Sequence, residues 1–258
     1  MTDTTGDGAE VVAELGPDHV ATVEIRRPPN NFFDAVLIAE LADVLEDLAG
    51  GTDARAVVLC SAGRHFCAGA NFGGGRREND AGDLYAAAVR VFRQPLPIVA
   101  AVQGAAVGGG LGLALAADLR VASPEARFTA NFSQLGFHPG FGISVTLPRV
   151  VGPQAAFELL TTGRRIGGEE AARIGLADRL VAADELGDAA RALAAEIASA
   201  APLAVRSIRA TLRAGLADEV AAMVEHERAE QERLMRTEDF REGLAAVSER
   251  RPGNFQGR

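Results

Sequence analysis

The sequence predicts an α/β body followed by a helical C-terminal region. Between residues 11 and 122, short apolar and β-branched runs alternate with helical patterns, as in layered α/β domains with crossover connections. After Pro153 the strand signal fades and helical patterns dominate. The chain has 258 residues, 48% of them hydrophobic and 24% charged, which is enough to bury a substantial core. We therefore expect an α/β core over residues 1–200 and a helical region over residues 201–258.

The first elements have the patterns of two paired strands and a capped helix. Runs over 11–15 and 20–25 are β-branched or alternating, with a Gly-Pro-Asp turn between them. Asp34 can cap a helix over 35–49, and the glycines at 50–51 are expected to end it. The elements expected next are a strand over 56–60, a helix near 84–92, a strand over 98–102, a helix over 109–116 and a strand over 119–122.

The second half of the chain is expected to be mainly helical. Helical patterns cover 154–160, 169–174, 186–198, 203–214 and 219–235, and Leu180-Val181 is the remaining strand signal. The charged run over 225–233 is expected to form the solvated side of its helix. Helices beyond Pro202 carry apolar stripes that need a surface, so we expect them to pack against neighbouring subunits.

The composition excludes several chemistries. The formal net charge is −9, and all 26 basic residues are arginine because the sequence has no lysine. A Walker A loop and Schiff-base or pyridoxal catalysis both need a lysine, so neither is expected. The arginines are scattered in an acidic chain, which argues against nucleic acid as a partner. No HExxH, CxxC or GxSxG pattern occurs, and we predict neither a metal nor a serine triad.

The cysteines and the apolar runs indicate the cellular compartment of the protein. Cys60 and Cys67 form no disulfide framework, suit a reducing compartment and are expected to be buried. The first ten residues are polar and acidic, unlike a secretion signal. The apolar stretch over 98–118 is interrupted by glycines, so no membrane partner is expected. These observations predict a cytoplasmic protein.

Two glycine-containing loops are candidate binding elements. Residues 64–71 follow a predicted strand, and residues 104–112 join a strand to a helix. Small residues let a ligand approach the backbone, and the first amides of a helix have no internal partner. Such loops could present two N–H groups to a developing oxyanion. Close helix packing explains the glycines equally well, whereas a dinucleotide fingerprint fails because its third glycine would fall on Leu113.

Several motifs, taken in order, carry a family resemblance. They are HFCAGAN at 65–71, PIVAAVQG at 97–104, VGGG at 107–110, ADLRVA at 117–122, ARF at 126–128, LPRVVG at 147–152, TGR at 162–164, ERRP at 249–252 and FQGR at 255–258. The sequence thereby resembles the enoyl-CoA hydratase/isomerase (crotonase) family over nearly its whole length. The resemblance implies a ClpP/crotonase-like fold of repeated ββα units, in which residues 1–200 form the acyl-CoA-binding core. It also implies a C-terminal helical trimerisation region in a homotrimer or dimer of trimers.

The resemblance also assigns site residues. The backbone N–H groups of Ala70 and Gly109 would form the oxyanion hole for a thioester enolate. Ala68 would offer its backbone to the adenine, and Ala70, Asn71, Phe72 and Gly73 would line the path of CoA and acyl chain. Coenzyme A would then be part of the substrate, and no separate cofactor is expected.

The sequence departs from the family at the residues that carry out hydration. The positions of the two hydratase acids hold Gly112 and Phe132, and a third position, acidic in some isomerases, holds Gly140. We expect Phe132 to fill space that a carboxylate and its water would occupy. His138 lies on the same segment and could act as a base near neutral pH, or it could be a structural histidine beside the Pro-Gly turn. His65 is expected to pack or to front the CoA groove.

These observations predict an acyl-CoA-processing enzyme of the enoyl-CoA hydratase/isomerase family that stabilises a thioester enolate. Two alternatives stay open. One is a divergent crotonase acting as a decarboxylase, C–C hydrolase or isomerase. The other is an acyl-CoA-binding protein without catalysis.

Overall fold

The computed structural model describes residues 10–70 and 80–258. Its strands are β1 (Val11–Leu15), β2 (Val20–Ile25), β3 (Ala56–Ser61), β4 (Ile98–Val102), β5 (Ala105–Val107), β6 (Leu119–Ala122), β7 (Arg127–Thr129), β8 (Arg165–Gly167) and β9 (Arg179–Leu180). Its α-helices are α1 (Ala35–Gly51), α2 (Asp80–Arg93), α3 (Gly109–Ala116), α4 (Ile143–Val151), α5 (Pro153–Thr162), α6 (Gly168–Arg173), α7 (Leu186–Ala198), α8 (Pro202–Leu212), α9 (Leu216–Leu234) and α10 (Glu238–Glu249).

Two sheets organise the body. The larger has the strand order β1-β2-β3-β4-β6-β9, in which β1 and β2 are antiparallel and the other pairs are parallel. The smaller has the order β5-β7-β8. Since only two residues separate β4 from β5, the chain passes from one sheet to the other immediately before α3. The order β-β-α thus recurs in β1-β2-α1 and β4-β5-α3, and the predicted α/β class with repeated ββα units is confirmed.

The core has two parts, one on each side of the larger sheet. On one side α7 packs Leu186, Ala190 and Leu193 against strand residues such as Val58 and Val99. On the other side, helices α1 to α6, together with α9 and α10, enclose the larger cluster. None of the described helices is long and apolar enough to cross a bilayer.

The structure extends the element predictions and corrects some of them. The first helix was expected to end at the glycines 50–51 but runs through them to Thr52. Strands β5 and β7, with three residues each, were not predicted because so few residues give no periodicity. Helix α4 was missed because Pro148 lies inside it, although proline usually ends a helix. Helix α10 was also missed, although Thr237 caps it by accepting from the Phe240 amide.

The C-terminal helices divide into two kinds. Helix α9 packs against α2 and α4 of the same chain and buries Val220 and Val224 there. Helix α8 has no buried residue and exposes Leu203, Ile208 and Leu212. The expected uncovered apolar stripe is therefore found on α8.

Candidate active site

The N-terminus of α3 is the centre of the candidate site. Gly108 has a φ of 55°, a left-handed value that favours glycine, and its amide donates to the Thr129 carbonyl of β7 at 2.8 Å. This bond anchors the turn from β5 into α3. Gly109 is then the first residue of α3, where an amide has no partner within its helix.

The segment before Ala70 is held against the same turn. Cys67 pairs with Ala106 by a parallel bridge, in which the Cys67 amide donates to Ala105 and its carbonyl accepts from Val107. Gly69 has a φ of 92°, and a Cβ there would lie 2.8 Å from the Val107 oxygen. Residues 67–70 therefore run beside β5 and bring Ala70 close to the start of α3.

One cavity of about 420 Å³ contains both amide-bearing residues. It is lined by Phe32, Phe33, Ala68, Gly69, Ala70, Leu84, Tyr85, Val107, Gly108, Gly109, Asn131, Phe132, Leu135, Phe137, Gly140, Phe141, Gln231 and Val247. In the part of the chain that the structure describes, neither the Ala70 amide nor the Gly109 amide has a protein acceptor. Two N–H groups of this kind can bind an oxygen that gains negative charge.

Of the other residues predicted for the site, the structure describes only some. Ala68 lines the cavity, and its amide donates to the Asn30 carbonyl at 2.9 Å. The predicted positions Asn71, Phe72 and Gly73 lie outside the described residues. Aromatic and aliphatic side chains form most of the wall, and no carboxylate is among the described residues that line it.

Positions 112, 132 and 140, at which the family resemblance would place acids, either hold an aromatic residue or lie against one. Phe132 lines the cavity and is buried. A Cβ at Gly112 would lie 2.8 Å from the Cβ of Phe141. A Cβ at Gly140 would lie 2.3 Å from the Tyr85 hydroxyl oxygen. Neighbouring side chains therefore occupy the space in which a longer residue at 112 or 140 would begin.

His138 does not line the cavity with Ala70 and Gly109. Its ring is edge-on to the ring of His226, with centroids 5.6 Å apart, and its Nδ1 lies 3.0 Å from the Pro139 carbonyl oxygen. Its own carbonyl accepts from the Gln231 side chain. This placement does not favour contact between the imidazole and a substrate in the cavity.

His65 and the two cysteines lie in structural surroundings. The His65 Nδ1 accepts from the Ala105 amide at 3.1 Å, and burial, followed by Arg64 and Arg127, lowers the pKa of His65. Burial raises the pKa of Cys67 to about 12 and of the partly exposed Cys60 to about 11. Both thiols therefore stay protonated near neutral pH. The described residues contain no group of histidines, cysteines and carboxylates that could hold a metal ion.

Sequence reasoning missed Tyr85 and Gln231, both of which line the cavity. Gln231 and Glu227 lie in the charged run over 225–233, which was expected to be solvated, yet Glu227 is 0% and Gln231 4% exposed. That expectation is wrong for these two residues because this face of α9 packs on α2 and α4. Their spacing of four residues, one helical turn, was the available signal.

The architecture is that of the crotonase fold. A crystal structure of an enoyl-CoA hydratase/isomerase from Pseudoalteromonas atlantica T6c matches with a TM-score of 0.87 at 30% identity, over 96% of this chain and 100% of that one. The enoyl-CoA hydratase/isomerase family model matches residues 16–258. The chain belongs to this family and is an enzyme of it.

Two relatives illustrate the range of names within the family. The protein named "Probable enoyl-CoA hydratase EchA14" from Mycobacterium tuberculosis is 38% identical over 245 residues, which covers 90% of this chain and 95% of that protein. Carnitinyl-CoA dehydratase from Proteus mirabilis is 35% identical over 250 residues, which covers 93% of this chain and 95% of that enzyme.

Proposed function

We propose that this protein binds acyl-CoA thioesters and stabilises the thioester enolate with the amides of Ala70 and Gly109. The observation that carries the proposal is that both residues line one cavity and neither amide has an acceptor in the described protein. An enolate places its negative charge on the thioester oxygen. Two preorganised N–H groups bind that oxygen more strongly than the neutral carbonyl, and this difference lowers the barrier.

Coenzyme A enters as part of the substrate in this proposal, with no separate cofactor and no metal. Because the Ala68 amide is bound by Asn30, the Ala68 carbonyl is the group left to reach the adenine. Asn71, Phe72 and Gly73 would continue the CoA path, with Gly109 beside the thioester. Fatty acid metabolism in the cytoplasm suits such an enzyme, and the free thiols Cys60 and Cys67 fit a reducing compartment.

Hydration through two carboxylates has no support from the described cavity wall. Gly112, Phe132 and Gly140 bring no acid, and His138 is not among the described residues that line the cavity. Decarboxylation of a malonyl-type thioester is the second candidate, because loss of CO₂ forms the enolate without a general base. It needs an enolate-binding site and a proton donor, which fits a wall without a carboxylate.

The proposal includes assembly into a homotrimer or a dimer of trimers. The exposed apolar residues of α8 support it, because three large aliphatic side chains on one uncovered helix favour burial against another subunit. The division into a core over 1–200 and a helical region over 201–258 is part of this proposal.

A panel of CoA esters tests the reaction class. Enoyl-, 3-hydroxyacyl-, 3-oxoacyl- and malonyl-type esters are incubated with the protein, and products are followed by mass spectrometry. We expect turnover of at least one class, with the malonyl-type esters losing CO₂. Rapid hydration of crotonyl-CoA would contradict the argument from the missing acids, and binding without turnover of any ester would favour a non-catalytic protein.

Two variants of Gly109 test the oxyanion hole. A Cβ at Gly109 would approach the Phe33 ring to 2.2 Å, so Gly109→Ala measures the cost of moving that ring. Gly109→Pro adds the loss of the N–H at a helix position that tolerates proline. We expect the proline variant to be slower than the alanine variant by about 100-fold or more in turnover. Equal rates in the two variants would remove the Gly109 amide from the mechanism.

A further inference from the structure

Tyr85 brings an ionisable side chain into the cavity that contains Ala70 and Gly109. Among the described lining residues it is the single one whose side chain can gain or lose a proton, and it is only 4% exposed. It lies on α2, whereas Gly109 is the first residue of α3 and Ala70 lies on the segment beside β5. It is also the one tyrosine of a chain without tryptophan.

The Tyr85 hydroxyl is held in place by a chain of two hydrogen bonds. It donates to the Gln231 Oε1 at 2.7 Å, and the Gln231 Nε2 donates to the His138 carbonyl at 3.0 Å. The second bond fixes which end of the amide faces Tyr85. Because an amide oxygen can only accept, the hydroxyl carries its hydrogen in this arrangement.

Gly140 makes room for this pair. A Cβ there would lie 2.3 Å from the Tyr85 oxygen and 2.6 Å from the Gln231 Nε2. The charged neighbours of Gln231 on α9 have partners elsewhere, since Glu227 accepts from the amides of Gly142 and Ser144 and Glu230 pairs with Arg233. A polar, uncharged pair is therefore built into an otherwise mainly apolar wall.

We propose that Tyr85 delivers the proton to the α-carbon of the thioester enolate, and that Gln231 positions Tyr85 for this step. The proposal rests on the enolate function of Ala70 and Gly109 given above. The O–H bond of Tyr85 breaks, and the electron pair of the enolate forms the new C–H bond. Negative charge thereby passes from the thioester oxygen to the phenolate, which then takes a proton from water.

The chemistry of a phenol suits this step. Its ordinary pKa is about 10, so it keeps its proton near neutral pH and remains a far stronger acid than the α-carbon of a thioester. The hydroxyl hydrogen can turn from Gln231 toward the substrate by rotation about the C–O bond, without movement of the ring. A site with a proton donor and no carboxylate base fits a reaction that generates its enolate by loss of CO₂.

Hydrogen–deuterium exchange at the α-carbon of butyryl-CoA in D₂O tests this step without knowledge of the natural substrate. By microscopic reversibility, the group that gives the proton also removes it, in its phenolate form. We expect wild-type protein to exchange one of the two α-hydrogens, and Tyr85→Phe to slow this by about 100-fold or more while binding of butyryl-CoA is unchanged. Mass spectrometry measures the exchange, and calorimetry measures the binding.

Two further modified forms of this protein distinguish a chemical role of Tyr85 from a structural one. Biosynthetic incorporation of 3-fluorotyrosine changes position 85 alone and makes the phenol more acidic. The exchange rate, which increases with pH as the phenolate forms, should therefore begin to increase at a lower pH. Gln231→Leu should slow exchange and let both α-hydrogens exchange, because the phenol is no longer aligned. A merely structural role would leave the pH profile and the stereochemistry unchanged.

The outcomes distinguish this proposal from the one on which it rests. Exchange that is equally fast in wild type and Tyr85→Phe would overturn the role of Tyr85 and leave the enolate function standing. The absence of exchange in the wild type across the alkaline range would overturn the enolate function and the role of Tyr85 together. Exchange that is lost in Tyr85→Phe and shifted by fluorotyrosine supports both.

Discussion

At the scale of single residues, aromatic side chains of the cavity wall lie where the side chains of three glycines would begin. A Cβ would lie 2.2 Å from Phe33 at Gly109, 2.8 Å from Phe141 at Gly112 and 2.3 Å from the Tyr85 hydroxyl at Gly140. Each aromatic side chain therefore occupies its position only because its neighbour is a glycine. A single substitution at one of these glycines cannot introduce an acid without moving the ring.

Gly112→Glu tests this coupling. We expect the variant to lose about 1–3 kcal/mol or more in the free energy of unfolding, because the new side chain overpacks against Phe141 and buries a charge. We also expect it to gain no hydration of crotonyl-CoA. Urea unfolding and the hydration assay measure the two effects. Gly112→Gln is the matched control, since it overpacks against Phe141 to the same extent without burying a charge and should lose less stability. Full stability of Gly112→Glu would contradict the argument.

The sequence could indicate only part of the candidate site. Ala70 and Gly109 were predicted from the family resemblance, because each lies in a contiguous motif that carries it. Tyr85 and Gln231 are 146 positions apart and meet only when α9 packs on α2, so no local pattern joins them. The surroundings of His138 depend in the same way on His226 of α9, which the sequence does not place beside it.

At the scale of elements, the buried carboxylate of Glu227 joins α9 to the N-terminus of α4. It accepts from the amides of Gly142 and Ser144 at 2.8 and 3.1 Å. An anion at this end of a helix is favoured by the helix dipole and by the amides that lack internal partners. Because Gly140 and Phe141 immediately precede Gly142, the same contact steadies one wall of the cavity.

Glu227→Gln is expected to lower the free energy of unfolding by about 1–3 kcal/mol, because the amide NH₂ would face an N–H group and leave it without an acceptor. Urea unfolding measures the loss. Glu225→Ala is the control on the same helix, where Glu225 makes an exposed pair with Arg228, and it should cost less than about 1 kcal/mol. A loss as small in Glu227→Gln as in Glu225→Ala would show that the contact does not hold α4.

The success of the element predictions followed the length and regularity of each pattern. Strands β1, β2, β4 and β6 and helices α3 and α7 were predicted with the bounds that the structure shows, since their apolar patterns are clear. Strands β5 and β7 form because the chain changes sheets there, which is a tertiary effect. Helix α4 forms in spite of Pro148, with support from Glu227 and from its packing on α3 and α9.

At the scale of the whole molecule, Asp118 ties α8 to the larger sheet through one face of that helix. Its carboxylate accepts from the Ile98 amide and pairs with Arg209 and Arg213. These contacts hold one side of α8 in place and leave its apolar side uncovered. Leu203 and Leu212 are 82% and 79% exposed, and such a concentration of large aliphatic side chains is typical of a surface that another subunit buries.

The joint substitution Leu203→Glu and Leu212→Glu tests whether α8 is the assembly surface. Light scattering should find a trimer or a multiple of three for the wild type and a monomer for the variant. The free-energy cost of burying two glutamates against an apolar partner exceeds the free energy that the contact contributes to association. The variant should keep its fold, since neither residue is buried within the chain. Val36→Glu is the control, an exposed aliphatic position on α1 that should leave the assembly intact. A monomeric wild type at micromolar concentration would contradict the proposed assembly. An unchanged oligomer in the double variant would show that α8 is not the interface.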